Sequence, residues 1–182
     1  MALALIALLL IEVVLQLAWV PWYFGVGIVA FTARVPAPAA LRSRLALNAL
    51  ERDVTNETWL PLVFRPLPDG RIAFRESFFI SFARRYYPVM RGLVAVDTRR
   101  NEVRVVGLYN WNALLITLAI LLASAMIPRA APMLLMLPVF VVSYLIQRRR
   151  FTAVADAVCA QLAEVDSVEV LMARRMQARS TP

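Results

Sequence analysis

Residues 1–31 read MALALIALLLIEVVLQLAWVPWYFGVGIVAF and carry a single charge, Glu12. Two further apolar runs follow at 111–127 and 131–146. About 20 consecutive apolar residues suffice for a helix to cross the hydrocarbon core of a bilayer. The three runs therefore predict a membrane α+β protein with three transmembrane helices, one N-terminal and two forming a hairpin in the C-terminal half. The first run is longer than one crossing needs. Pro21 offers a kink, and Trp19, Trp22, Tyr23 and Phe24 form an aromatic cluster suited to an interface. A tilted or bent helix is expected, with its cytoplasmic end near Arg34. A cleaved signal peptide fits less well, because the n-region lacks Lys and Arg and the apolar stretch exceeds an h-region.

Trp111 opens the second run and Pro128 closes it, while Gln147 and Arg148-Arg149-Arg150 stop the third. Each of the two is slightly short for a bilayer, so snorkelling Arg side chains or local thinning must help. Ala119 and Ala123 give the second run a small-residue face for packing on the third. All 20 basic residues are Arg: 13 lie in 32–110, six follow Gln147, and Arg129 alone sits at the hairpin tip. Flanking membrane segments, they read as topology signals rather than a nucleic-acid patch. The positive-inside rule places the middle segment and the C-terminus in the cytoplasm of a bacterial inner membrane, with the N-terminus periplasmic.

The chain thus divides into a first transmembrane helix (1–33), a cytoplasmic helix plus four-stranded antiparallel β domain (34–110), a transmembrane hairpin (111–146), and a basic stop with an amphipathic C-terminal helix (147–182). Within the β domain, 41–54 has helical periodicity. Leu62–Arg65 and Ile72–Arg75 flank Pro66-Leu67-Pro68-Asp69-Gly70, a hairpin signal with Asp-Gly in the turn. Gly92–Val96 and Val103–Gly107 flank a second turn. Such a sheet has one face to cover, by the 41–54 helix or by the tail, where Phe151, Val154, Val158 and Leu162 recur at helical spacing. Asp166 or Ser167 would cap a second helical piece, breaking the tail. Cys159 falls near the apolar stripe, as a small buried hydrophobe does.

Composition removes whole classes of chemistry. The chain has no His and no Lys, one Cys and five Gly. It holds no imidazole base or haem ligand, no Schiff-base lysine, no cysteine zinc cluster, and no P-loop or GxGxxG. Asp69, Asp97 and Glu102 belong to or flank turns, which explains them without an active site. No catalytic, metal or cofactor-binding residue is assigned. Glu12 is the sharpest single residue, since a carboxylate in a span is costly. Gln16 lies one turn on, so the two are expected to meet another subunit in the membrane, unless Glu12 is interfacial. The segment 78–87 packs five aromatics with Arg84 and Arg85, as a core segment or as an interfacial one. Arg84, Arg85, Arg148, Arg149 and Arg150 are candidates for lipid or partner contact. Arg65, Arg75 and Arg104 alternate with apolar neighbours and should share a docking face. These features predict a non-catalytic accessory subunit of a larger membrane complex, of which respiratory and photosynthetic assemblies are typical. Its partners would be other membrane-protein subunits and phospholipid, with no nucleic acid. The alternative is a self-sufficient module that binds anionic lipid and organises or senses the bilayer.

Overall fold

The computed structural model describes residues 2–37, 47–54, 61–77, 86–97 and 99–180. Its architecture is mixed helix and antiparallel sheet, in the order α1 (Ala2–Leu17), α2 (Pro21–Gly25), β1 (Val29–Pro36), α3 (Leu47–Val54), β2 (Leu62–Pro66), β3 (Ile72–Glu76), β4 (Met90–Asp97), β5 (Glu102–Tyr109), α4 (Trp111–Met126), a 3-10 segment (Pro128–Met136) and α5 (Leu137–Ser180). The sheet has five strands in the order β1-β5-β4-β3-β2. Both predicted hairpins form, with Phe64 paired to Phe74 in one and Val94 to Val105 in the other.

The fifth strand corrects the sequence reading. The first apolar run is not one bent span, because helix α1 stops at Leu17 and residues 29–36 form an edge strand beside β5. The stop is a Schellman turn: the Trp19 N–H donates to the Gln16 carbonyl at 3.4 Å and the Val20 N–H to that of Leu15 at 3.2 Å. Trp19 therefore takes a left-handed φ of 53°, a position that favours Gly and costs a bulky residue on the order of 1–3 kcal/mol. Its ring offsets this by stacking on Phe24 at 5.4 Å and lying under the Arg75 guanidinium at 4.7 Å. Pro21, preset for a first helical turn, then opens α2.

Three transmembrane helices are likewise not supported. At 1.5 Å per residue, α1 and α4 (16 residues each) are about 24 Å long, short of a ~30 Å core. Among the described residues only Arg129–Glu164 is long and apolar enough to cross a membrane, and 11% of its most apolar stretch is buried. Its first turns are 3-10 rather than α, where Pro132 withholds a backbone donor. The tail is not a separate element and does not break at Asp166: α5 runs on for 44 residues to Ser180.

Helices cover both sheet faces. On one side α5 and α3 bury Phe64, Phe74, Val94, Val103 and Val105. Phe151 sits at the centre, edge-on to Phe74 at 4.8 Å and to Phe31 at 6.3 Å. The expected stripe Phe151, Val154, Val158, Leu162 is buried here, whereas Cys159 is exposed. On the other side Trp19, Tyr23 and Phe24 cover Leu67, Ala73 and Leu93. Gly92 is needed for close approach, because a Cβ there would lie 2.1–2.4 Å from the Phe74 ring. Gly92→Ala should therefore overpack this core and lower the thermal midpoint by roughly 3–10 °C. Adding Phe74→Leu should recover part of the loss. An unchanged midpoint for the single variant would refute this packing.

Candidate functional site

Glu12 lies at the junction of α1, α2, α4 and the sheet, 3% exposed. Its Oε1 accepts the Trp111 N–H at 2.7 Å, and its Oε2 accepts that of Asn112. These are the first two amides of α4, which every helix leaves without internal partners. Asn110, the N-cap, does not serve them, because its amide group donates instead to the Pro88 carbonyl at 2.8 Å. A carboxylate from another helix caps α4, where the helix dipole also favours negative charge. The Tyr23 hydroxyl donates to Glu12 Oε1 and accepts from Gln16 Nε2 at 3.0 Å and Arg91 Nη1 at 3.3 Å. Arg91 is 1% exposed and lies 3.9 Å over the Tyr23 ring. It also donates to the carbonyls of Tyr23, Val26 and Tyr109 at 2.6–3.1 Å. Gly27 leaves room for it, since a Cβ there would meet Nη2 at 2.8 Å.

A second cluster of the same four residue types fixes α5. Glu76, at the end of β3, accepts from Arg150 Nη1 at 2.8 Å and from the Tyr86 hydroxyl. Gln147 lies one turn before Arg150 on α5. Its Oε1 accepts the N–H groups of Val89 and Met90 at 2.9 and 2.8 Å, as a neighbouring strand would. Ser143, a further turn back, accepts the Tyr87 N–H at 3.2 Å. Burial pushes the Glu76 carboxyl up, against the pull of Arg150, Tyr86 and Gln147. Burial likewise raises Tyr23 and Tyr86, brings Tyr87 up to about 12, and lowers the Arg91 guanidinium.

Several predicted site residues acquire a different environment. Glu12 and Gln16 find within the chain the polar partners that the sequence led us to seek in a second subunit. Arg148 and Arg149 are exposed, but Arg150 points inward onto Glu76 and is not available to lipid headgroups. Arg84 and Arg85 lie outside the described residues. Arg65, Arg75 and Arg104 do share the sheet face opposite α5. Yet Arg75 lies over Trp19, and Arg104 pairs with Asp97 at 3.0 Å and Glu102 at 2.6 Å, leaving Arg65 as the exposed member. Arg91 carried no sequence signal, Tyr23 was legible only as part of an aromatic cluster, Gln147 only as the end of an apolar run, and Glu76 only as one of several acidic residues.

Two apolar openings flank the clusters. One, of about 270 Å³, lies over Glu12 and Tyr23 between Leu8, Trp22, Trp111 and Leu115. The other, of about 200 Å³, separates α4 from α5 and is lined by Val89, Tyr109, Leu114, Thr117, Phe140 and Tyr144, among others. Among the described residues no three His, Cys, Asp or Glu side chains come together to hold a metal. Each cluster joins a carboxylate, a phenol and a guanidinium and so ties helix to sheet, while Glu76 Oε2 is buried without a hydrogen-bond partner among the described residues. Compared with known proteins, the chain matches no family model, no curated protein and no solved structure.

Breaking one side of a buried ion pair costs about 3–5 kcal/mol, while apolar replacement of both sides is often neutral. Glu76→Leu should therefore destabilise the fold strongly, and adding Arg150→Met should restore much of the loss, read by thermal unfolding. Additive losses would show that the pair is uncoupled. The tyrosines make a separate prediction. Their folded pKa values lie above the unfolded value near 10. Their contribution to stability is thus complete below pH ~10 and is lost as pH rises through the folded values. Ultraviolet titration should show these phenols ionising only together with unfolding. Ionisation of all five tyrosines near pH 10 in a folded chain would contradict their burial.

Proposed function

We propose that this chain is a membrane-anchored accessory subunit whose sheet domain is held against the cytoplasmic face of a bacterial inner membrane. One observation carries the reading. Of the α1 side chains described, only Glu12 and Gln16 are buried; Leu15 packs partly against the Trp19–Phe24 cluster, and most of the other apolar side chains face outward. Leu3, Leu10 and Val14 are each more than 60% exposed. Every exposed large apolar side chain described, except Val96, lies in 3–29 or 111–145. A soluble monomer rarely exposes a contiguous apolar patch beyond a few hundred Å². An apolar surrounding, lipid or the helices of partner subunits, suits this end of the molecule.

The Arg129–Glu164 helix would cross the bilayer, with α1 and α4 inserted beside it and the membrane thinned around them. Trp22, Tyr109, Trp111 and Tyr144 gather where the helices meet the sheet, the level of an aromatic belt. The Arg-rich remainder sets the sheet side as cytoplasmic. A non-catalytic role accords with the two clusters, in which Glu12, Tyr23 and Arg91, and Glu76, Tyr86 and Arg150, are bonded to one another. The second reading, a module that binds anionic lipid, is favoured by exposed Arg148, one turn along α5 from Tyr144 at the α4–α5 opening.

Reporter fusions at Asn101 and at the C-terminus should both report cytoplasm, and opposite sides would refute the topology. Purified from its own membrane in mild detergent, the chain should bring stoichiometric partner subunits with it. A monodisperse species carrying only lipid would instead favour the second reading.

A further inference from the structure

The opening between α4 and α5 is walled by Val89, Leu114, Phe140 and Val141, with Tyr109 and Tyr144 toward the sheet. It exists because α4 packs mainly on the 3-10 segment at the tip of the hairpin rather than on α5. Two of its three hydroxyls are already committed. Thr117 donates to the Ala113 carbonyl at 2.7 Å, and Tyr144 to the Ala30 carbonyl at 3.3 Å. The walls therefore offer little to water, and an empty gap forfeits dispersion contacts. At about 200 Å³ it is too narrow for a helix, whose diameter is roughly 10 Å.

The charge at its mouth selects among apolar occupants. Arg148 follows Tyr144 by four residues, one turn or about 6 Å along α5. It follows Val141 by seven, which returns it to the same side of the helix within roughly 20°. Arg148 is exposed there, while Arg149, a further 100° round the helix, is exposed on the side away from Phe140 and Tyr144. We propose that this cleft seats one acyl chain of an anionic phospholipid, whose phosphate is held by Arg148. A guanidinium fork matches phosphate bidentately. The proposal rests on the membrane reading above and names the lipid that the cleft would take.

The test is native mass spectrometry of the full chain, delipidated in detergent and titrated with phosphatidylglycerol or phosphatidylcholine. One phosphatidylglycerol should bind per chain at least tenfold more tightly than phosphatidylcholine. Arg148→Gln should abolish that preference, while Arg149→Gln, on the far side of the helix, should leave it. Thr117→Phe, which fills the cleft, should remove binding of both lipids. Val141→Trp, at an exposed wall position where folding is not at stake, should weaken both. Equal binding of the two lipids by the wild type, or unchanged binding by both cleft variants, overturns the proposal. Flotation of the same proteins with phospholipid vesicles separates the two levels. All variants float if only the cleft assignment fails, and the wild type fails to float if the membrane reading itself is wrong.

Discussion

A carboxylate placed in an apolar helix must be satisfied where it lies, and the arrangement of this molecule follows from how Glu12 is satisfied. Its two oxygens take two orphan amides of α4 and one phenol from α2. That single group ties three elements together, at a place where α1 buries no apolar side chain among those described. The negative charge meets the positive end of a helix dipole and, through Tyr23, the Arg91 guanidinium. Arg91 in turn reaches carbonyls on either side of the sheet's near end. Apolar packing alone would leave α1 free to rotate about its axis, since every face of it is apolar. The hydrogen bonds to Glu12 and Gln16 admit one rotation and one height.

The Glu76 cluster solves the same problem for α5. Ser143, Gln147 and Arg150 recur at four- and three-residue spacing and all turn toward β4 and β3. Gln147 bonds the backbone at the start of β4, on the side away from β5 and beyond Ile72, Ala73 and Phe74, the β3 residues that pair with β4. Two clusters of Glu, Tyr, Arg and Gln thus mark the two places where an apolar helix meets the sheet. Buried ion pairs of this kind add little net stability over apolar residues of equal volume. Their value here is positional: a hydrogen-bonded set has one satisfied geometry, whereas an apolar contact has many.

Both hairpins were legible in the sequence because Asp69-Gly70 and the 97–102 turn interrupt runs of period-two alternation. The edge strand β1 was not, although Phe31, Ala33 and Val35 alternate with Thr32 and Arg34, because the apolar residues before it merge with α1 into one hydropathy signal. The end of α1 escaped for a related reason. Its C-terminal turn uses Trp19 where Gly would announce a stop, and the contacts of that ring with Phe24 and Arg75 offset the strain. The clusters were out of reach altogether, since Glu12 and Trp111 are 99 residues apart and nothing local predicts their meeting. Polar residues were noticed one at a time, but their partners come from tertiary packing.

The Arg148-Arg149-Arg150 triplet shows how far the fold can divide a motif that reads as one. Successive residues on a helix differ by about 100°, so three in a row span some 200° and cannot form a single patch. Once Ser143 and Gln147 fix which face of α5 meets the sheet, Arg150 must fall on that face and Arg148 and Arg149 must fall off it. Inside, Arg150 needs a counter-charge and finds Glu76, so the pair closes the junction. Outside, the other two lie at the level where the apolar surface ends. The same three residues therefore do two jobs. One sets the angle of the helix on the sheet, and that angle decides what the remaining two can touch.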